Sequence, residues 1–187
     1  IGEVASVDLS KRPFTVKTAR QEYFCETLIV ATGASAKWLG LESETRLRGH
    51  GVSACATCDG FFFKGKDVVV VGGGDVALEE ADFLTKFANT VTVLVRSEKL
   101  RASVPLQERA KANPKIKFVW NVEVAEVLGE KTVEGIRLKN SVTGEFSEIK
   151  AQGLFVAIGH APNTKIFEGK LDLVKSYIVT KHGSTET

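Results

Sequence analysis

The stretch from Asp67 to Ala77 constrains this chain more than any other. It runs apolar from Val68 to Val71, and Gly72-Gly73-Gly74 follows at once. Such a run suits a parallel strand covered on both faces, since a half-exposed strand would alternate with polar residues. Beyond the glycines, Ala77, Ala81, Leu84 and Ala88 recur at three- and four-residue spacing, as one buried helix face requires. Thr90–Val95 then reads as a second strand, a helix is expected from about Leu106 to Ala112, and Ile116–Trp120 reads as a third strand. The alternation predicts an α/β fold: a Rossmann-like dinucleotide-binding domain. Gly72-x-Gly74-x-x-Ala77 sits where the dinucleotide fingerprint needs it, after a buried strand and at the start of a helix. The first glycine permits the turn, the second lets a pyrophosphate approach the backbone, and Ala77 allows close helix–strand packing. The helix N-terminus offers free N–H groups and a favourable dipole to the phosphates.

The rest of the chain repeats part of this plan. Residues 122–150 read as an inserted β-meander with a turn at Thr143-Gly144, and Leu154–Gly159 closes the domain as a buried strand. Residues 1–33 read similarly. Val4–Val7, Phe14–Val16 and Tyr23-Phe24 alternate between turn-like breaks, and the apolar run Leu28–Ala31 is expected as a strand ending at Thr32-Gly33-Ala34. Residues 35–66 are expected to be irregular apart from a short helix near Cys55 and Cys58. The echo between Leu28–Gly33 and Leu154–Gly159 predicts two domains of similar build, the second complete and the first represented by its tail. The expected division is 1–36 in the first domain, 37–160 in the second, and 161–187 as the return into the first. The chain opens on Ile1 and contains no methionine, so an internal piece of a longer protein is expected.

Composition narrows the function classes. A 43% hydrophobic share supports a buried core, and a net charge of +2 with interspersed signs makes no case for a nucleic-acid or membrane partner. No apolar run has the length of a membrane-spanning helix, and no signal peptide opens the sequence. Three cysteines without a secretory cue point to a reducing, intracellular compartment, cytoplasmic by default with an organelle not excluded. There a close cysteine pair is more often catalytic or metal-binding than structural.

Cys55-Ala56-Thr57-Cys58-Asp59 has the spacing that lets two sulfurs bridge, with a carboxylate next to them to exchange protons as thiolates come and go. Zinc would need about four ligands. Cys25, His50, His160 and His182 are scattered and make a poor set, so no metal is expected, and Cys25 is expected in the core. The end of the second strand bears on the nucleotide. NAD sites place an acid there and NADP sites place cations. Here Arg96 takes that position with Arg101 beyond it, which favours a 2′-phosphate, while Glu98 leaves NAD open.

The segment Gly51–Phe62, with Ala31–Ser35, Gly72–Asp75, Glu79-Glu80-Ala81, Phe155–Gly159 and Pro162-Asn163-Thr164 in the same order, resembles the low-molecular-weight thioredoxin reductases over nearly the whole chain. The resemblance implies an NADPH-dependent flavoprotein disulfide reductase, homodimeric in its parent form. In that family NADPH reduces FAD, FAD reduces the cysteine disulfide, and the dithiol reduces thioredoxin. By that resemblance Cys58 faces the flavin, Cys55 attacks thioredoxin and Asp59 is the acid–base partner. Gly72, Gly74, Asp75, Val76, Ala77, Arg96, Arg101, Ile158 and Gly159 hold NADPH, and Thr32, Gly33 and Ala34 pass near FAD. Two features depart from the pattern. The usual His-Arg-Arg-x-x-x-Arg phosphate signature reads Val95-Arg96-Ser97-x-x-x-Arg101 here, and neither the N-terminal FAD glycine motif nor the C-terminal Gly-Asp FAD segment is present. The chain alone is therefore expected to hold no tight FAD and to be inactive by itself. The alternatives are a sister reductase of another protein disulfide and a nucleotide-binding module without turnover.

Overall fold

The computed structural model describes residues 2–187. The chain divides into two compact units, one running up to Ser35 and taking in His160–Thr187, the other spanning Ala36–Gly159.

In the first unit, the early alternation becomes an antiparallel meander of β1 (Val4–Asp8), β2 (Phe14–Thr18) and β3 (Glu22–Cys25), in that spatial order. The run Leu28–Ala31 does not form the expected strand. It is unpaired, and Ile29 is 90% exposed. An apolar run becomes a buried strand only where neighbours hydrogen-bond it on its edges, and among the described residues no strand lies beside this one. Cys25 also departs from its expected place in the core: it ends β3 half-buried, opposite Phe14. The chain passes to the second unit through β4 (Ala34–Ala36).

The second unit begins in a segment expected to be irregular apart from a helix at the cysteine pair; it holds α1 (Glu42–Arg46) and β5 (Val52–Ser53) besides that helix, α2 (Ala56–Asp59). The first two are the departures. They carry no periodic apolar face, so only their surroundings make them regular. Next come β6 (Asp67–Val71), α3 (Asp75–Leu84), β7 (Thr90–Val95), α4 (Val104–Ala112) and β8 (Ile116–Trp120). The helix α4 starts earlier than periodicity predicts because Pro105 stands in its first turn, where a missing N–H costs nothing. The meander β9 (Val122–Leu128), β10 (Gly135–Asn140) and β11 (Phe146–Lys150) follows, then β12 (Gly153–Val156).

The parallel sheet runs β5-β12-β6-β7-β8. Val68, Val70, Val91 and Val93 pack with Ala77, Ala81 and Leu84 of α3 on one face. Val69, Leu94, Leu154 and Val156 pack with Val122, Val127, Ile136 and Leu138 of the meander on the other. The unit is thus a three-layer Rossmann-like sandwich, helices on one side and an antiparallel meander on the other. Phe155, wholly buried, meets Phe63 edge-on at 5.1 Å, a geometry worth about 1 kcal/mol beyond burial. The ladder of β12 stops at Val156, short of the expected Gly159, although Ala157 still donates to the Val71 carbonyl at 2.9 Å.

The chain returns to the first unit through β13 (His160–Pro162) and ends in the hairpin β14 (Leu173–Val174) and β15 (Tyr177–Ile178). Val7 and Phe167 are the buried apolar residues of this unit.

Candidate nucleotide and dithiol site

The cysteine pair is built off the carboxyl end of β5. Ser53, buried at the strand end, accepts the Cys55 N–H on its hydroxyl at 3.0 Å. Cys55 is extended and caps α2, and the Cys58 N–H donates to its sulfur at 3.2 Å. Cys55 and Cys58 are joined as a disulfide, and Cys25 is free. A bonded sulfur has no proton, so the Thr57 hydroxyl, 3.4 Å from Cys55 Sγ, is the donor of that pair. Both donors converge on Cys55, so when the bond opens negative charge is favoured there. Cys58 is the more exposed of the two. Asp59, half-buried, lines a cleft of about 390 Å³ with Ser53, His50, Phe62, Phe63 and Lys66. Among the described residues no three His, Cys, Asp or Glu side chains gather as a metal site.

Two strands along the same sheet, the carboxyl end of β6 turns into α3 through Gly72–Gly74. Gly72 has φ +145°, and a Cβ there would lie 2.4 Å from the Ala157 carbonyl oxygen and 2.9 Å from Ala77 Cβ. Gly74 precedes α3 in extended backbone with open space around its Cα, which is room for a phosphate at the helix start. Below the turn lies a cleft of about 530 Å³ lined by Gly72, Leu94, Arg96, Arg101, Ile158 and Trp38. The fold therefore brings Gly72, Arg96, Arg101 and Ile158 to one cavity, with Gly74, Asp75, Val76 and Ala77 at the helix start beside it. Gly159 follows Ile158, and its carbonyl accepts the Lys37 N–H at 2.9 Å.

Some side chains have work that spacing did not indicate. Asp75 accepts the Ser103 N–H at 2.7 Å, and the Gly73 carbonyl accepts the Arg101 N–H at 2.7 Å. Together they tie the arginine loop to the glycine turn. Arg96 is 79% exposed with Glu123 3.9 Å away, an acid that competes with a phosphate for it. Glu44 is wholly buried and takes the N–H groups of Leu39 and Gly40 at 2.9 and 3.0 Å. Arg48 bonds the same carboxylate at 3.5 Å and stacks 3.9 Å from the Trp38 ring centroid. Glu44 thus holds one wall of the cleft beside the glycine turn, and nothing in its local sequence marks it. Glu44→Ala is expected to cost about 2–4 kcal/mol in urea unfolding, because two backbone donors lose their acceptor. A loss below about 1 kcal/mol would mean that the Trp38–Gly40 loop holds itself.

Thr32, Gly33 and Ala34 lie exposed in the first unit. Asn163 donates to the carbonyls of Thr32 at 3.1 Å and Gly33 at 3.0 Å. A flavin pyrophosphate needs its own strand–glycine–helix turn. Among the described residues Gly72–Ala77 is the one such turn, so these residues do not by themselves form a flavin cradle.

A parallel sheet thus carries a glycine-turn cleft and a Cys55–Cys58 disulfide at its carboxyl edge. The chain belongs to the pyridine nucleotide-disulphide oxidoreductases, whose family pattern matches residues 1–187. It is 51% identical to the thioredoxin reductase of Rickettsia conorii over 98% of this chain and 61% of that protein. It is also 51% identical to that of Streptomyces coelicolor, over 99% of this chain and 58% of that protein. The crystal structure of Lactococcus lactis thioredoxin reductase in its FR conformation superposes with a TM-score of 0.87 at 34% identity, covering 97% of this chain and 60% of that one. The chain thus spans about three fifths of the length of the curated relatives it matches.

Proposed function

We propose that this chain is the NADPH-binding and dithiol part of a thioredoxin reductase, electrons passing from NADPH through FAD to Cys55–Cys58 and on to thioredoxin. One observation carries the reading: the disulfide and the glycine-turn cleft with Arg96 and Arg101 share the carboxyl edge of one sheet. When bound in the parent protein, NADPH and FAD would supply the two electrons that, with two protons, reduce the disulfide to the dithiol. Gly72, Gly74, Asp75, Val76 and Ala77 place the pyrophosphate on α3, Arg96 and Arg101 face the 2′-phosphate, and Ile158 and Gly159 border the cleft. Thr32, Gly33 and Ala34 are the chain's contribution near FAD, in a domain comprising 1–36 and 161–187. Residues 37–160 form the NADPH domain.

In the reduced state the Cys55 thiolate, held by the Cys58 N–H and the Thr57 hydroxyl, attacks the partner's disulfide. A mixed disulfide forms, and one partner sulfur leaves with a proton from solvent. Cys58 then gives its proton to Asp59 and attacks Cys55 Sγ. The partner's second sulfur leaves with a proton, and Cys55–Cys58 re-forms. Phe61 and Phe62, 67% and 69% exposed just beyond Asp59 and Gly60, offer apolar contact to a protein substrate rather than a small thiol. A cytoplasmic location and a homodimeric parent complete the reading. No described helix is long and apolar enough to cross a membrane.

Fluorescence titration with NADPH and NADH tests the nucleotide assignment. NADPH should bind more tightly, and Arg96→Ala should weaken it by about 1–2 kcal/mol, the lower range for a charge-assisted contact at an exposed site, leaving NADH unchanged. Equal binding of both nucleotides by the unaltered chain would overturn the NADP preference.

A further inference from the structure

The helix α3 carries an acidic pair, Glu79-Glu80, and nothing above uses it. Glu79 faces solvent. Glu80 does not: its Oε2 is sealed from solvent and has no hydrogen-bond partner. Burial, the larger effect, disfavours the charged carboxylate and raises its pKa, and the backbone N–H of Ala56, the residue directly after Cys55, partly offsets it. Helical spacing puts Phe83, Leu84 and Phe87 on the same side as Glu80, and the space above these three side chains is closed by Gly60. This face of α3 therefore underlies the segment from Cys55 to Phe63.

The charges around Glu80 are few. Between Cys55 and Phe63 the ionisable groups are the two cysteines and Asp59, and Asp59 opens to the cleft shared with His50 and Lys66. On α3, Asp75 is taken by the Ser103 N–H and Asp82 by Arg109 of α4, on the flank away from α2. On β6, Asp67 accepts from Asn89 and Thr90. No Lys, Arg or His lies in the segment above Glu80 to neutralise it. A carboxylate oxygen sealed without a partner under the segment that carries a redox-active disulfide is costly unless its charge is used.

We propose that Glu80 is a positioning residue for the Cys55–Cys58 couple, the charge of its sealed carboxyl under that segment setting how readily the Cys55 thiolate forms as the disulfide opens and closes. The inference rests on the redox reading given above. In exchange with an added dithiol, the dithiol is oxidised to its own disulfide and yields two electrons and two protons. The Cys55–Cys58 bond breaks, one proton ends on Cys58, and the second is held either by Cys55 or by Glu80. Ionised Glu80 opposes the Cys55 thiolate through like charge; protonated Glu80 permits it.

The test uses the whole chain, unaltered and as Glu80→Gln, equilibrated in dithiothreitol redox buffers and alkylated with iodoacetamide between about pH 5 and pH 8. At neutral pH the Gln variant should hold roughly three- to tenfold more dithiol form and alkylate faster by a similar factor, since no charge opposes the thiolate. The difference should vanish at low pH, where Glu80 carries its proton and mimics Gln. Stability should follow the same sign. A carboxyl whose pKa is raised on folding is fully accommodated below its unfolded value, and the protein loses stability as pH rises through the folded one. The Gln variant should therefore melt higher at neutral pH and equally at low pH. Glu80→Asp, which keeps the charge, should restore the pH dependence. A Gln variant identical to the unaltered chain, or differing by one constant factor at every pH, overturns the proposal and leaves the redox reading standing. Failure of Cys55–Cys58 to open in any dithiol buffer removes both.

Discussion

Cys58→Ser is expected to reduce disulfide exchange by this chain, and thioredoxin reduction by the full-length protein, to background. Exchange needs two sulfurs: one to form the mixed disulfide, and a second to resolve it. The Cys58 substitution stops the sequence at the mixed disulfide, and Cys55→Ser prevents it from starting. Thiol counting gives the direct check. The unaltered chain should lose two thiols on oxidation and keep Cys25, and Cys25→Ser should still lose two. Either substitution at the pair should lose none. The effect is chemical rather than structural, because a disulfide closing so short a loop contributes only about 2 kcal/mol to stability. Thiol loss that survives in the Cys58 variant would implicate Cys25 and sink the assignment.

The second large effect is on folding. Gly72→Ala is expected to destabilise the second unit by about 3–5 kcal/mol, a large share of the roughly 5–15 kcal/mol that holds a domain together. The added methyl would meet the Ala157 carbonyl oxygen at 2.4 Å and Ala77 Cβ at 2.9 Å. Neither is the end of a flexible side chain: one is backbone leaving β12, the other is fixed on α3 against the sheet. The φ of +145° adds strain of its own for any residue with a Cβ. Thermal unfolding should drop by roughly 10–20 °C. Gly74→Ala is the informative contrast. Its Cβ meets nothing within 4 Å, so folding should change little. The methyl would still stand where the proposed nucleotide's pyrophosphate would meet the helix start, so nucleotide affinity should fall. If both variants unfold alike, the turn is strained throughout and Gly74 is not reserved for a ligand.

The contrast between these glycines shows how far local reading reaches. Both were legible as a fingerprint, because a buried strand, a glycine turn and a helix must follow one another in the chain for the motif to exist. Which of them is excluded by packing, and which stays open to a ligand, depends on Ala157, a residue distant in sequence and adjacent only after β12 inserts between β5 and β6. Glu44 shows the same limit. Its carboxylate, Arg48 and Trp38 form one wall of the cleft, yet the segment has neither periodicity nor a motif.

Order along the chain determined the βαβ unit, the meander and the cysteine pair, since the residues that make each lie within one element or one turn of each other. Val68–Val71 could satisfy four apolar side chains only between two covering layers, and Cys55 and Cys58 are spaced to bridge wherever that turn sits. Tertiary structure alone decided the remainder. Leu28–Ala31 is as apolar as the run in β12 yet stays unpaired, because a strand exists only through the hydrogen bonds of its neighbours. Asp75, expected beside the nucleotide, also holds the arginine loop through the Ser103 N–H, a partner brought near by the packing of α4 on α3. Glu80 lies under the segment that carries the disulfide, and its neighbour Glu79 in water, because one turn of helix faces two ways and only the packed segment above tells them apart.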